Sequence, residues 1–351
     1  MKNLWIVIVL LLTVGCLEHF YGDWTVTNAA AMAAQKKDAN SSAESSGQKH
    51  ETKTGDSNSS RGDRVTTGDS NNSTELQDVM EVEGPNAVMA GYIGGDAFNL
   101  GLAGLLKEYV NQQGLVNYSK MRRYRLQLNE AVEKFANLAP EVYITWSQPE
   151  KIAFWINAYN ICTLKAITDN YPIKPSRFML LFYPANSVMH IQGLRDKTYF
   201  MIMGIQYTLE EIERDILLGR FEEPRAMFAI NYGTMGSAAF RTEPYLGKVL
   251  EKQFDQQLKN YFARPDAFKI DEAANIVYLS PIFKMYPWHE EPLLKRYGTN
   301  QLFRRFEPVD RAALNFVKDY ISPANAEFLK KKEYSIGYIE YNWQLNEQPP
   351  E

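Results

Sequence analysis

Ala153-Phe-Trp-Ile-Asn-Ala-Tyr-Asn-Ile-Cys-Thr-Leu-Lys165 is a helix-length run in which two asparagines interrupt apolar and aromatic side chains. At helical spacing Ile152, Trp155, Tyr159, Cys162 and Ala166 form one stripe, while Phe154, Ala158 and Ile161 fill another face. A helix apolar nearly all round is expected to be buried. Asn157 and Asn160 are three residues apart and therefore neighbours, and a buried amide left unpaired costs about 1–3 kcal/mol. They are expected to fasten adjacent loops through backbone hydrogen bonds. The sharper alternative makes them, with Tyr159, orienting groups in a binding pocket. Cys162 sits amid apolar neighbours, where a thiolate is disfavoured, and reads as a packing residue.

Outward from this run, Ser147-Gln-Pro-Glu150 is a capping-box pattern that starts the helix, and Pro172 stops it. Upstream, Asn99 to Gln112 and Lys120 to Leu138 carry helical periodicity around a break at Gly114, which predicts two antiparallel helices. Downstream, Thr208 and Glu211 form a second capping box, with Gly219 as the expected stop. A helix carrying Leu246, Val249, Leu250, Phe254 and Leu258 should follow Thr242-Glu-Pro. A hairpin is expected from Phe268–Ile270 and Ile276–Leu279, then helices near Val309–Ile321 and Ala324–Lys331, then a strand at Ser335–Tyr341. The fold class is a mainly helical α+β single domain with a small antiparallel sheet.

The Phe154-Trp-Ile-Asn-Ala-Tyr-Asn160 run resembles the hallmark segment of the domain of unknown function 547 (DUF547) family. Tyr207-Thr-Leu-Glu-Glu-Ile-Glu-Arg-Asp-Ile-Leu217, Val277-Tyr-Leu-Ser-Pro-Ile-Phe-Lys-Met-Tyr286 and Ile339-Glu-Tyr-Asn-Trp-Gln-Leu-Asn346 are also similar to family segments. The resemblance spans roughly residues 138–346 of a globular domain expected from Met80 to Asn346, with 347–351 a tail. A papain-like or transglutaminase-like arrangement fits this order as an analogy of layout, without implying proteolysis.

Pro224 to Arg241 aligns with a family segment that reads as a strand, a turn and a Cys-Pro pair before an arginine. The resemblance implies histidine at Met227 and cysteine at Tyr232 and Ser237, and this chain has none of the three. A His and Cys pair is what thiol nucleophilic catalysis needs, so the family's usual reactive groups are missing here. Ser237 is the candidate replacement nucleophile. It needs a general base, and the folded region offers only His190 and His289. Gly233 and Gly236 are expected at positive-φ turn positions, with Ser237 bonding the turn. His289, in Tyr286-Pro-Trp-His-Glu-Glu291, is a candidate metal or substrate contact, against the commoner reading as a surface or core histidine. In the carboxylate cluster Glu210 and Glu211 suit helix capping, whereas Glu213 lies one residue from the buried stripe of Leu209, Ile212 and Ile216. Glu213 joins Ser237 and His289 as a catalytic candidate, and Arg241 joins Asn157, Asn160 and Tyr159 as a candidate binding residue. No His-Glu-x-x-His, phosphate loop or dinucleotide fingerprint occurs, so no metal or cofactor is expected.

The chain of 351 residues begins with one lysine and an apolar run ending Leu12-Thr-Val-Gly-Cys16. This resembles a bacterial lipobox, with Cys16 as the lipidation site of a signal spanning 1–16 and Thr13 as a departure from the usual aliphatic residue. Ordinary secretion and an uncleaved anchor are the alternatives. Residues 17–79, Ser-, Gly-, Asn- and Asp-rich from Gln35, read as a disordered tether, in which 40 residues reach roughly 35 Å. A formal charge of -4, from 38 basic and 42 acidic side chains, supplies no basic field for nucleic acid. The whole reads as an envelope protein facing the periplasm, membrane-attached through its N-terminus. Its expected function is a tethered binding or scaffold module for an unknown envelope protein or peptide. The alternative is a hydrolase or transferase acting on envelope peptides or small polar substrates.

Overall fold

The computed structural model describes residues 94–331 and 333–349, all within one unit, Ser73–Glu351. The expected signal, with Cys16 as its expected lipidation site, the expected tether and the expected domain start near Met80 lie outside the described residues. Helices α1 (Gly94–Leu100), α2 (Ala103–Tyr109), α3 (Tyr118–Arg123), α4 (Leu126–Ala136) and α5 (Pro140–Ile144) lead to the long α6 (Gln148–Asp169). The two upstream helices expected from periodicity are thus four, α1 to α4. Asn117 caps α3 by accepting from the Lys120 amide, which starts a new helix after the Gly114 turn.

The capping box of α6 is present. The Ser147 amide donates to Glu150 Oε2 at 2.8 Å, and Ser147 Oγ accepts from the Glu150 amide. The unbroken series Ile152 to Leu164 is buried, as the apolar circumference requires. Phe154 sits among Phe98, Phe135, Tyr143 and Trp146, with ring centroids 5.2–5.6 Å apart. Trp155 Nε1 donates to Tyr143 Oη at 2.9 Å.

Strands β1 (Phe200–Ile202) and β2 (Ile205–Tyr207) form an antiparallel hairpin fastened to α4 through the Met203 amide and the Phe135 carbonyl. Helix α7 (Leu209–Glu211), opened by the Thr208/Glu211 capping box, runs on as a π-helix, Ile212–Arg220. Gly219 is therefore not a stop but lies inside the wider winding, where an added Cβ would lie 2.9 Å from the Arg214 carbonyl oxygen five residues back.

Pro224–Phe228 is a 3-10 turn and not the strand implied by the resemblance. Arg225 holds it in place through Glu223 and Glu251, each approached by two guanidinium nitrogens. Helix α8 (Leu250–Phe262) starts later than the pattern suggested. Residues 247–249 form a separate 3-10 turn, whose Gly247 and Lys248 amides are taken by Asp96.

Strands β3 (Lys269–Asp271) and β4 (Ile276–Leu279) make the expected antiparallel hairpin, and helices α9 (Glu290–Tyr297), α10 (Pro308–Val317) and α11 (Pro323–Lys331) follow. The final strand, β5 (Ser335–Tyr338), adds beside β4 in parallel, so the small sheet is mixed and not wholly antiparallel. The three intervening helices supply the crossover that a parallel pair needs. The fold is the mainly helical α+β arrangement. Helix α6 packs chiefly against other helical segments, unlike a helix laid on a sheet.

Candidate functional site

Glu213 is fully buried on the π-helical segment and accepts three hydrogen bonds. Arg195 Nη2 donates to Oε2 at 2.7 Å, Tyr232 Oη to Oε1 at 2.5 Å, and His289 Nε2 lies 2.9 Å from Oε1. His289 is also fully buried, and its Nδ1 is 2.6 Å from the Ile282 carbonyl. Both ring nitrogens lie within hydrogen-bond distance of an oxygen. Burial by itself pushes the Glu213 carboxyl up. The Arg195 charge and the His289 and Tyr232 contacts outweigh it and hold the group below the usual glutamate range. Tyr232 is driven well above the ordinary tyrosine value, first by burial and then by the Glu213 charge.

Arg195 lies between aromatic faces, its Cζ 3.9 Å from the Tyr286 ring centroid and 5.2 Å from that of Tyr232. Trp288 stacks on Tyr286 at 4.7 Å and steadies that platform. The guanidinium borders a cleft of about 210 Å³ that is also lined by Tyr159, Thr163, Asp196, Tyr232, Tyr286 and Trp343. Four buried polar atoms of these lining residues have no hydrogen-bond partner: Tyr159 Oη, Thr163 Oγ1, Arg195 Nε and Arg195 Nη1. Buried polar groups are normally paired, so this concentration at one cleft distinguishes it from the surrounding core. A larger, more open concavity of about 830 Å³ beside Tyr109, Lys120, Arg123 and Gln127 contains none of the candidate residues.

The asparagines take the fastening role. Asn157 donates to the Tyr245 carbonyl and accepts from its amide, at 2.8 and 2.9 Å. Asn160 donates to the Ala229 carbonyl and accepts from the Asn231 amide, at 3.0 and 2.9 Å. Asn160, Glu213 and Ser237 meet along the two residues Asn231-Tyr232, whereas Asn157 is committed to Tyr245. Ser237 Oγ accepts from the Tyr232 amide at 3.0 Å and shares a hydroxyl cluster with Thr234 and Tyr341, each 2.9 Å away. His289 is joined to Glu213 and not to Ser237. His190 bonds the Ser176 amide and the Pro184 carbonyl. Arg241 stands apart beside Glu243 and Gln256, on a second cavity of about 190 Å³.

The chain ending holds the loop from outside. The amides of Met235, Gly236 and Asn346 donate to the carbonyls of Gln344, Asn342 and Gly233 respectively. Gly233 has φ +76 as expected, with an added Cβ only 2.2 Å from Ile167 Cδ1. Gly236 is not at positive φ. It is small because the Tyr341 ring would approach an added Cβ to 2.7 Å. Cys162 is buried and unpaired, and burial pushes its thiol pKa far up, as its apolar setting suggested. Among the described residues no group of three or more His, Cys, Asp or Glu is placed to hold a metal ion.

Sequence reasoning missed Arg195, Thr163, Tyr286 and Trp343. Arg195 lies in coil with no periodicity or motif, and the only available signal was a lone arginine preceding a carboxylate-rich helix.

These elements define an α+β domain with a buried ion-pair centre beside a small cleft. Residues 143–262 carry a DUF547 domain, matching the family described as a protein of unknown function. That stretch includes α6, the π-helix and the Asn231–Ser237 loop, while the similar segments near Val277 and Ile339 fall beyond it. No curated protein and no solved structure matches the chain.

Proposed function

We propose that this protein is a tethered binding module of the bacterial envelope, whose cleft holds the acceptor oxygens of a peptide or another small polar ligand. The observation that carries this reading is the set of four unpartnered donor-capable atoms on Tyr159, Thr163 and Arg195 around one cleft. A carboxylate or amide carbonyl suits these donors, and the rings of Tyr232, Tyr286 and Trp343 suit an apolar portion of the same ligand. At about 210 Å³ the cleft is below the ~300 Å³ common for whole small-molecule sites, which favours recognition of one end of a chain. The lipobox-like Cys16 and the long polar tether support export and attachment to the membrane, facing the periplasm.

The hydrolase or transferase reading finds less support. Ser237 is buried, and its side-chain hydroxyl is engaged by Tyr232, Thr234 and Tyr341, with no imidazole among those partners.

Tryptophan fluorescence titration of the full chain with short peptides, comparing free and amidated C-termini, tests the binding reading. Saturable binding weakened about tenfold by Thr163→Val, corresponding to ~1.4 kcal/mol, is expected. Peptide binding unchanged in both Thr163→Val and Arg195→Gln would remove this cleft as the site. Palmitate labelling lost in Cys16→Ser tests the anchor, and normal processing of that variant overturns it.

A further inference from the structure

We infer that the helical turn carrying Phe178, Leu180, Leu181 and Phe182 is a membrane-docking element that seats the domain on an anionic lipid surface. These four side chains are 69%, 45%, 75% and 65% exposed, and they crowd into five consecutive residues. The other exposed large apolar side chains are spread over several separate elements. Isolated apolar side chains at a surface are ordinary, whereas such a cluster marks an interaction site.

Three features select a bilayer as the occupant. First, the turn pairs four of its amides within itself. The amides of Leu180, Leu181, Phe182 and Tyr183 donate to the carbonyls of Ser176, Phe178 and, for the last two, Met179. A segment entering hydrocarbon favours internal pairing of its peptide groups, and four amides of this one are already paired that way. Second, Lys174 and Arg177 are exposed on the approach to the turn, and from Asn170 to Leu194 there is no Asp or Glu. Apolar tips with basic neighbours suit acyl chains below anionic headgroups. Third, Tyr183 packs edge-on against Trp343 at 5.5 Å, placing two amphipathic rings next to the apolar tip, as at a membrane interface.

His190 braces the base of the turn. Its Nδ1 accepts from the Ser176 amide at 3.2 Å, and its Nε2 lies 2.8 Å from the Pro184 carbonyl. The apolar tip is therefore presented on a closed loop with both ends held. This docking adjoins the cleft, whose lining includes Trp343, and adds a second contact to any N-terminal attachment.

The full chain with Leu181→Cys, in a Cys16→Ser background that leaves Cys162 buried, can carry an environment-sensitive nitrobenzoxadiazole label on the turn. On phosphatidylcholine vesicles containing phosphatidylglycerol, the label should shift to the blue, brighten severalfold and be quenched by spin-labelled acyl chains. Adding Lys174→Glu and Arg177→Glu should reduce the vesicle-bound fraction severalfold. A label that stays water-like on vesicles overturns the proposal, even if the N-terminus binds them. A blue shift in the absence of vesicles also overturns it. Concentration dependence of that shift would assign the turn to a second copy, and independence of concentration to the chain's own N-terminal apolar segment.

Discussion

Glu213 Oε1 lies 2.9 Å from His289 Nε2, and both side chains are wholly shielded from solvent. With Arg195 on the other carboxylate oxygen, the glutamate is the shared acceptor for two basic groups. Removing one partner from such a buried arrangement leaves uncompensated charge. Glu213→Ala is therefore expected to destabilise the domain by about 3–5 kcal/mol, measured by urea denaturation. A loss below about 1 kcal/mol would show that Arg195 and His289 are satisfied in other ways.

The pH dependence follows from the depressed Glu213 pKa. The folded state binds the carboxyl proton less readily than the unfolded chain, so the stabilisation is fully present above the ordinary glutamate value of about 4.3. It is lost as pH falls from there through the lower folded value. Urea midpoints compared between wild type and Glu213→Gln should show a difference that is constant near neutrality and shrinks on acidification below about pH 4.3. A difference that widens in acid contradicts this sign.

Asn160→Ala removes both partners of a clamp between α6 and the Asn231 loop, leaving the Ala229 carbonyl and Asn231 amide buried without it. At about 1–3 kcal/mol for each group left unpaired, a loss of about 2–6 kcal/mol in chemical denaturation is expected. Asn157→Ala should cost a similar amount by releasing Tyr245.

Gly233→Ala combines positive φ with a Cβ 2.2 Å from Ile167 Cδ1. Left-handed strain and overpacking each cost about 1–3 kcal/mol, so a calorimetric Tm several degrees lower is expected. An unchanged Tm would mean that Ile167 repacks without penalty.

Cys162 should resist thiol reagents under native conditions, since its thiol is buried and its pKa is pushed far up. In a Cys16→Ser chain, dithiobisnitrobenzoate labelling should proceed no faster than unfolding, followed in parallel by circular dichroism. Rapid native labelling would contradict the burial of that face of α6.

The starts of α6 and α7 were legible because their causes are local. Ser147/Glu150 and Thr208/Glu211 are three-residue contacts, and the all-round apolar pattern of α6 requires burial whatever packs against it. The need of Asn157 and Asn160 for backbone partners was equally readable, since an unpaired buried amide is costly. The partners themselves were not, because Tyr245 and Asn231 are 88 and 71 residues away. The parallel addition of β5 to β4 was hidden for the same reason, as strand periodicity carries no direction.

The sequence by itself determined an α+β domain organised around one buried helix, with Ser237 and His289 as isolated candidates. Only the tertiary structure decided that His289 serves Glu213, 76 residues away, and that Ser237 belongs to a hydroxyl cluster with Tyr341. It also brought Arg195, from unpatterned coil, to both Glu213 and the cleft. Capping and amphipathicity act over a few residues and leave a periodic trace, whereas charge pairing in a core depends on distances set only when the whole chain has packed.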